Sequence, residues 1–252
     1  MKITVVGIGY VGLSIGLLLA KEHDVTFFDI DNKTIIQRQS QALENEAIST
    51  SAIEGKILNR DSVKASIAKK FGFRDIDYNK IDNSIEYLIE VLIDANTNYD
   101  AKLTQERLFA WHGAIFPKAY DKFNAINVAT FRGEETMQVV GGYAGNEIVY
   151  YEAPPKSILE KEMQTFLNWF NSTNDDLIKA CIAHLWFVII HPFDDGNGRI
   201  ARAITDLVLS KIENSKISRL YSMSSAINDD RKGYYKALEY TTGYIKKEDD
   251  FL

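Results

Sequence analysis

Twelve residues, from His191 to Arg202 (His-Pro-Phe-Asp-Asp-Gly-Asn-Gly-Arg-Ile-Ala-Arg), constrain this chain more than any other stretch. They lie between a strongly apolar helix, Leu177 to Ile190, and a second helix that starts near Gly198. Another apolar helix, Ile158 to Phe170, precedes them. A loop slung between buried helices is rigid enough to place small groups accurately. Its residues suit a nucleoside triphosphate. Neutral His191 can take a proton from a hydroxyl near pH 7, and Asp195 offers hard oxygen to Mg²⁺. Gly196 and Gly198 flank Asn197 and let backbone N–H groups approach phosphate oxygens at a helix start. Arg199 and Arg202, three apart, share a helix face and can clamp phosphate with forked donors. Taken singly, the same residues also read as a turn leading into a helix with two solvated arginines.

The loop matches, without departure, the signature His-x-Phe-x-Asp/Glu-Gly-Asn-Gly-Arg-x-x-Arg, and on it the chain resembles the Fic family. Leu103 to Pro117, Met137 to Pro155, Ala183 to Phe193 and Leu220 to Glu239 are also similar to one bacterial Fic subgroup. The resemblance implies a mainly α fold: a Fic-type helical domain over residues 101–252 with a β-hairpin flap, and a helical region over 32–100. It implies transfer of AMP from ATP to a Ser, Thr or Tyr hydroxyl of a target protein, or of the chain itself, with Mg²⁺. His191 is then the base. Gly196, Asn197, Gly198, Arg199 and Arg202 hold phosphate, with Mg²⁺ on Asp195. Tyr234 and Tyr235 line the adenine side, where core packing is the competing reading. Gly198 separates the chain from a phosphate-transferring branch that carries Lys there.

The hairpin is read from the residues themselves: MQVVGGY and NEIVYYE are β-prone and separated by Ala144-Gly145. The resemblance makes Met137, Gln138, Val139 and Val140 the edge on which a target segment docks by strand addition.

Lys33 to Gly55 reads as a helix closed by glycine, and its last turn is Thr50-Ser51-Ala52-Ile53-Glu54-Gly55. Ser/Thr-x-x-x-Glu-Gly resembles the family's inhibitory motif, placed N-terminally. Glu54 would pair with Arg202 and withdraw the guanidinium from the γ-phosphate, with Thr50 stabilising the helix. Lys56 departs from the residue common at that position. Removal of AMP from a modified protein, and a non-catalytic nucleotide-binding interaction module, are the rival readings. Relatives continue past the Fic core into a further helical region, which this sequence, ending at Leu252, does not include.

With 46 % hydrophobic residues in 252, the chain has ample material for a core. Its net charge is −6 with no long basic run, which removes the electrostatic footprint of a nucleic-acid or anionic-membrane binder. The partners expected are ATP and a protein, with homodimerisation open. Cys181, the single cysteine, allows no internal disulfide, suits a reducing cytoplasm, and reads as core from its apolar neighbours.

Residues 1–31 read as strand, Gly-Ile-Gly-Tyr-Val-Gly turn, helix and strand: a short Rossmann-like βαβ fragment with Gly7, Gly9 and Gly12 in the fingerprint positions and Asp29 at the end of the second strand. The segment is similar to the start of UDP-glucose and GDP-mannose dehydrogenases. A working half-site needs three parallel strands, so no NAD chemistry is expected of it. Its glycines, including Gly16, and its single early positive charge argue against a signal peptide or membrane span.

Overall fold

The computed structural model describes residues 2–6, 15, 17–28, 32–73, 77, 81–117, 126–143, 146–213 and 221–243. At the N-terminus β1 (Lys2–Val6) pairs in parallel with β2 (Asp24–Phe28), Lys2 opposite Asp24 and Val6 opposite Phe28. Half-buried Ile3, Val5 and Val25 alternate with exposed Lys2, Asp24 and Thr26, the period-two pattern of a strand with one covered face. The expected strand–crossover–strand order is present. Gly7, Gly9, Gly12, Gly16 and Asp29 lie outside the described residues.

Among the remaining described residues the regular structure is helical apart from one hairpin. In order come α1 (Asn32–Ile53), α2 (Arg60–Lys70), α3 (Asn83–Thr97), α4 (Gln105–Ile115), the strands β3 (Gln138–Tyr143) and β4 (Asn146–Glu152), then α5 (Lys156–Ser172), α6 (Leu177–Ile190), α7 (Asn197–Glu213), α8 (Met223–Asp229) and α9 (Arg231–Gly243). Side-chain caps set several starts. Asn59, Asp82, Asp176 and Ser222 each accept from a backbone N–H of the first turn, and Thr104 does so for α4 from Arg107 at 3.2 Å.

Helix α7 is the axis of the core. Ile200, Ala201, Ala203, Ile204, Leu207 and Val208 are all buried. The alanines let α6 and α3 approach closely, with Ala183, Phe187 and Ile190 of α6 and Ile89, Leu92 and Ala95 of α3 completing the interior. Such packing leaves little room for the loop between α6 and α7 to move.

Helix α6 corrects one expectation. Its sequence is apolar nearly all round, yet it buries the face of Ala180, Ala183, Phe187 and Ile190, while Leu177, Ile178 and Ile182 remain exposed. Cys181 is exposed too, not core. One residue on from buried Ala180, it is turned about 100° round the helix and out of the interface. Apolar neighbours in sequence do not say which face is covered.

Helix α1 carries two stripes. Leu43, Ala47, Thr50 and Glu54 follow one another at spacings of four, three and four, one face of a helix; this face begins buried and apolar and ends polar. Glu46, Ser49 and Ile53 form the neighbouring stripe and meet α8 and α9: the Glu46 carboxylate accepts from Ser222 Oγ at 2.7 Å and from the Ser224 N–H at 3.1 Å, and Arg231 Nη2 donates to Ile53 O at 2.7 Å. Among the described residues no helix is long and apolar enough to cross a membrane.

Candidate active site

Helix α6 stops at His191, whose N–H still donates to Phe187 O at 3.0 Å while its backbone turns left-handed, φ 49° and ψ 57°. For a residue with a Cβ this costs roughly 1–2 kcal/mol and persists where the surroundings hold it. His191 Nδ1 lies 3.1 Å from Val188 O. A carbonyl can only accept, so Nδ1 carries the proton and Nε2 keeps its lone pair. Burial, with help from the Arg132 guanidinium, pushes the imidazole below its usual pKa. At pH 7 His191 is therefore neutral, the form a general base requires.

The rest of the loop is closed by its own side chains. Phe193 is fully buried and stacks on His112, centroids 4.2 Å apart. Asn197 donates from Nδ2 to Phe193 O at 2.7 Å and accepts at Oδ1 from the Phe193 N–H at 3.0 Å. With both ends of its amide on Phe193, Asn197 shapes the loop, and what it offers a phosphate is its backbone N–H. His112 holds the far end: Nδ1 accepts from the Ala129 N–H at 3.0 Å, so Nε2–H donates to Asp195 O at 3.1 Å. Burial keeps its pKa low, consistent with that neutral tautomer.

The anion cradle follows. Gly196 has φ +82°, and a Cβ there would lie 2.7 Å from the Phe116 ring, so position and conformation both demand glycine. Arg199 spans the other side of Phe116, its guanidinium carbon 4.6 Å from the ring centre. Its Nε is buried with no hydrogen-bond partner, a costly state that an anion would relieve. Asp195 accepts from the Gly196 N–H at 2.6 Å, and its second oxygen sits 3.8 Å from Arg199 Nη2 on a half-exposed side chain. Among the described residues no cluster of three or more His, Cys, Asp or Glu could hold a metal. A lone carboxylate beside a phosphate cradle does fit Mg²⁺, which usually takes one or two carboxylates and completes its shell with phosphate oxygens and water.

Glu54 reaches into this cradle. Helix α1 ends in a Schellman turn: the Gly55 N–H donates to Ala52 O at 3.0 Å and the Lys56 N–H to Ser51 O at 2.9 Å, with Gly55 at φ +72°. Glu54 thus occupies the cap position, one residue past the helix proper. Its carboxylate accepts from Arg202 Nη2 at 2.7 Å, and Arg202 Nε donates to Thr50 Oγ1 at 2.8 Å and Nη2 to Thr50 O at 3.1 Å. Thr50 therefore does more than support its own helix. A Cβ on Gly198 would lie 2.6 Å from Glu54 Oε1, so the carboxylate sits against the first turn of α7, where backbone N–H groups and the helix dipole favour negative charge.

Tyr234 and Tyr235 stand edge to face at 5.3 Å on α9. Tyr234 donates its O–H to His184 Nε2 at 2.9 Å, and His184 Nδ1–H donates to Thr205 Oγ1 at 3.0 Å, that hydroxyl being spent on Ala201 O. Burial drives His184 down to about 4 and Tyr234 up to about 12, so both are neutral. Tyr235 is about half exposed, a free ring face beside an anchored one. Sequence reading missed His184, because a histidine on an apolar stripe looks like filler.

In the hairpin Gln138 pairs with Glu152, Val139 with Tyr151 and Val140 with Val149, with an irregularity between Val139 and Val140. Met137 O accepts from the Ala153 N–H at 2.9 Å, and Gln138 Nε2 donates to Glu152 at 2.9 Å. The turn at Ala144-Gly145 and the side chains of Val139 and Val140 lie outside the described residues. Among those residues β3 pairs with β4 alone, leaving its other edge without a strand.

Fold and site together define a helical protein with a neutral histidine, its Nε2 lone pair free of a proton, next to a glycine-containing loop at a helix N-terminus. Residues 102–209 match the Fic/DOC family, so this part of the chain carries a Fic domain. Residues 10–73, which include Glu54, match a domain of unknown function, DUF4172. A probable protein adenylyltransferase of Aquifex aeolicus is 34 % identical over 88 residues, 32 % of this chain and 27 % of that protein. A UDP-glucose 6-dehydrogenase of Streptococcus pneumoniae is 31 % identical over 107 residues, 42 % of this chain and 23 % of that enzyme, a longer local similarity than the 31 residues singled out in the sequence. The chain thus spans about a quarter of the length of these curated relatives. A solved Fic family protein from Desulfovibrio desulfuricans G20 superposes with a TM-score of 0.58 at 19 % identity, covering 86 % of this chain and 69 % of its own, which shows the shared fold.

Proposed function

We propose that this protein transfers AMP from ATP to a hydroxyl side chain of a protein, and that Glu54 restrains it. The observation that carries the proposal is the pairing, within one loop, of a proton-accepting His191 Nε2 with a phosphate-shaped cradle already filled by a carboxylate. The similarity to a probable protein adenylyltransferase of Aquifex aeolicus agrees with it.

In the step itself the hydroxyl oxygen of a Ser, Thr or Tyr attacks the α-phosphorus in line. Its proton passes to His191 Nε2, the new O–P bond forms, and the bond from the α-phosphorus to the bridging oxygen breaks to release pyrophosphate. The backbone N–H groups of Asn197 and Gly198 face the phosphate oxygens, joined by that of Gly196 when the Asp195 carboxylate releases it, and Arg199 and Arg202 orient the β- and γ-phosphates. Asp195 would hold Mg²⁺, which supplies charge neutralisation on the polyphosphate. The Tyr235 face offers the adenine a stacking surface, braced by Tyr234 and His184. A target segment adds to the free edge of β3, through Met137, Gln138, Val139 and Val140. While Glu54 holds Arg202, the γ-phosphate has no guanidinium and meets a carboxylate.

Incubation with α-³²P-labelled ATP and Mg²⁺ tests both halves. Glu54→Gly is expected to raise self-labelling at least tenfold and His191→Ala to abolish it. Equal labelling of wild type and both variants would sink the assignment, and label carried from γ-³²P-ATP would make the reaction phosphate transfer instead.

A further inference from the structure

Arg132 is among the largest fully buried side chains described, 2 % exposed, and so far it has served only through its charge, which helps keep His191 neutral. It faces no carboxylate within ion-pairing distance among the described residues; its partners are carbonyls. Nε donates to His191 O at 2.9 Å, Nη2 donates to Pro154 O, and its own backbone N–H donates to Pro192 O at 2.9 Å. Pro154 lies two residues past the end of β4. Beside it Tyr151 of β4 donates its O–H to Ile189 O at 2.9 Å. The carbonyls of Ile189, His191 and Pro192, the backbone on either side of the general base, are therefore all pinned by the strands' foot and the segment that leads into β3.

We propose that Arg132 is a positioning residue that locks the left-handed backbone of His191 to the foot of the β3–β4 hairpin, so that a target segment docked on that hairpin and the base that deprotonates it share one rigid frame. The need for a guanidinium follows from its geometry: a planar fork presents diverging donors that can reach carbonyls on two different segments at once. The Val188 carbonyl fixes the tilt of the His191 ring but not its backbone, which sits at a φ its residue type disfavours. The far end of the loop hangs from other anchors, His112 on Asp195 O and Asn197 on Phe193. Loss of Arg132 should thus displace the base and spare the phosphate cradle.

This inference uses the AMP-transfer reading for its kinetic readout only. In the Glu54→Gly background, Arg132→Met is expected to lower the self-labelling rate at saturating ATP by about tenfold or more, as misplacement of a reacting group does, with the KM for ATP unchanged within about twofold. Arg132→Lys, which keeps the charge but has one nitrogen in place of the fork, should recover only part of the rate. A second readout needs no activity: the chain has four histidines, so the ring Cε1–H resonance of His191 is assigned by His191→Ala. It should shift or broaden in Arg132→Met and do so less in Arg132→Lys, while the His184 resonance moves in neither. An unmoved His191 signal in a folded Met variant, or a rise in KM that accounts for the lost rate, overturns the proposal. If Glu54→Gly transfers no AMP, the function reading fails and the resonance alone decides Arg132. Should Arg132→Met not fold, Arg132→Gln, which reaches one carbonyl at most, carries the same expectation.

Discussion

At the scale of single residues, Arg202 is where two states compete. It is 1 % exposed and its donors go to Thr50 and Glu54, so a phosphate must displace an existing partner rather than fill an empty fork. Thr50→Val removes the hydroxyl acceptor but leaves Thr50 O and Glu54. It should cost about 1 kcal/mol of stability, read from chemical denaturation, and raise self-labelling less than Glu54→Gly does; an increase as large as that of Glu54→Gly would mean Thr50, not the carboxylate, is the restraint. His184 makes a pH prediction. Its folded pKa, about 4, lies below the usual value near 6.5, so the unfolded chain binds the proton more readily. Stability is full above about pH 6.5 and falls as pH drops towards 4, by on the order of 3 kcal/mol. Melting temperatures between pH 7 and 4.5 should decline less in His184→Gln than in wild type, and parallel declines would contradict the assignment. The loop from His191 to Arg202 was legible because its chemistry is contiguous. Arg132, His112 and His184 were not, because each acts on a partner that is distant in sequence and none carries a local pattern.

At the scale of elements, α1 ties the Glu54–Arg202 contact to the C-terminal helices. One stripe ends on Arg202; the other, through Glu46, ties α1 to the start of α8, where the carboxylate also meets the local positive end of the helix. Glu46→Ala leaves buried donors of Ser222 and Ser224 without their acceptor, so a loss of about 2 kcal/mol is expected in urea unfolding; a change below about 0.5 kcal/mol would show that water replaces the carboxylate. Gly55→Ala puts a Cβ at φ +72° in open space, so its cost is conformational, about 1 kcal/mol. It should loosen the Glu54 turn and raise self-labelling modestly. Most elements could be read from periodicity and caps, as Thr104 and Gly55 show. Which face each helix buries could not: α6 is apolar on both sides, and Cys181 fell on the open one.

At the scale of the whole molecule, the proposed restraint and the proposed nucleotide binding call on the same guanidinium, that of Arg202. A ligand that binds the folded state stabilises it by RT ln(1 + [L]/Kd), about 2.7 kcal/mol at a hundredfold excess over Kd. With His191→Ala in place to prevent turnover, Mg²⁺ and ATP should raise the melting temperature of the Glu54→Gly protein clearly more than that of the chain that keeps Glu54. Equal shifts would show that the carboxylate does not oppose ATP. The sequence by itself determined the catalytic loop, the helix ending at Glu54-Gly55 and the hairpin, since each depends on residues within a few positions of one another. Tertiary structure alone decided that Glu54 lies on Arg202 and against Gly198, that Thr50 shares the guanidinium, and that His191 is held from outside its loop by Arg132. These are contacts across 60 to 150 positions, and they exist only because α7 is buried on every side and draws α1, α6 and the hairpin foot to the same end of one helix.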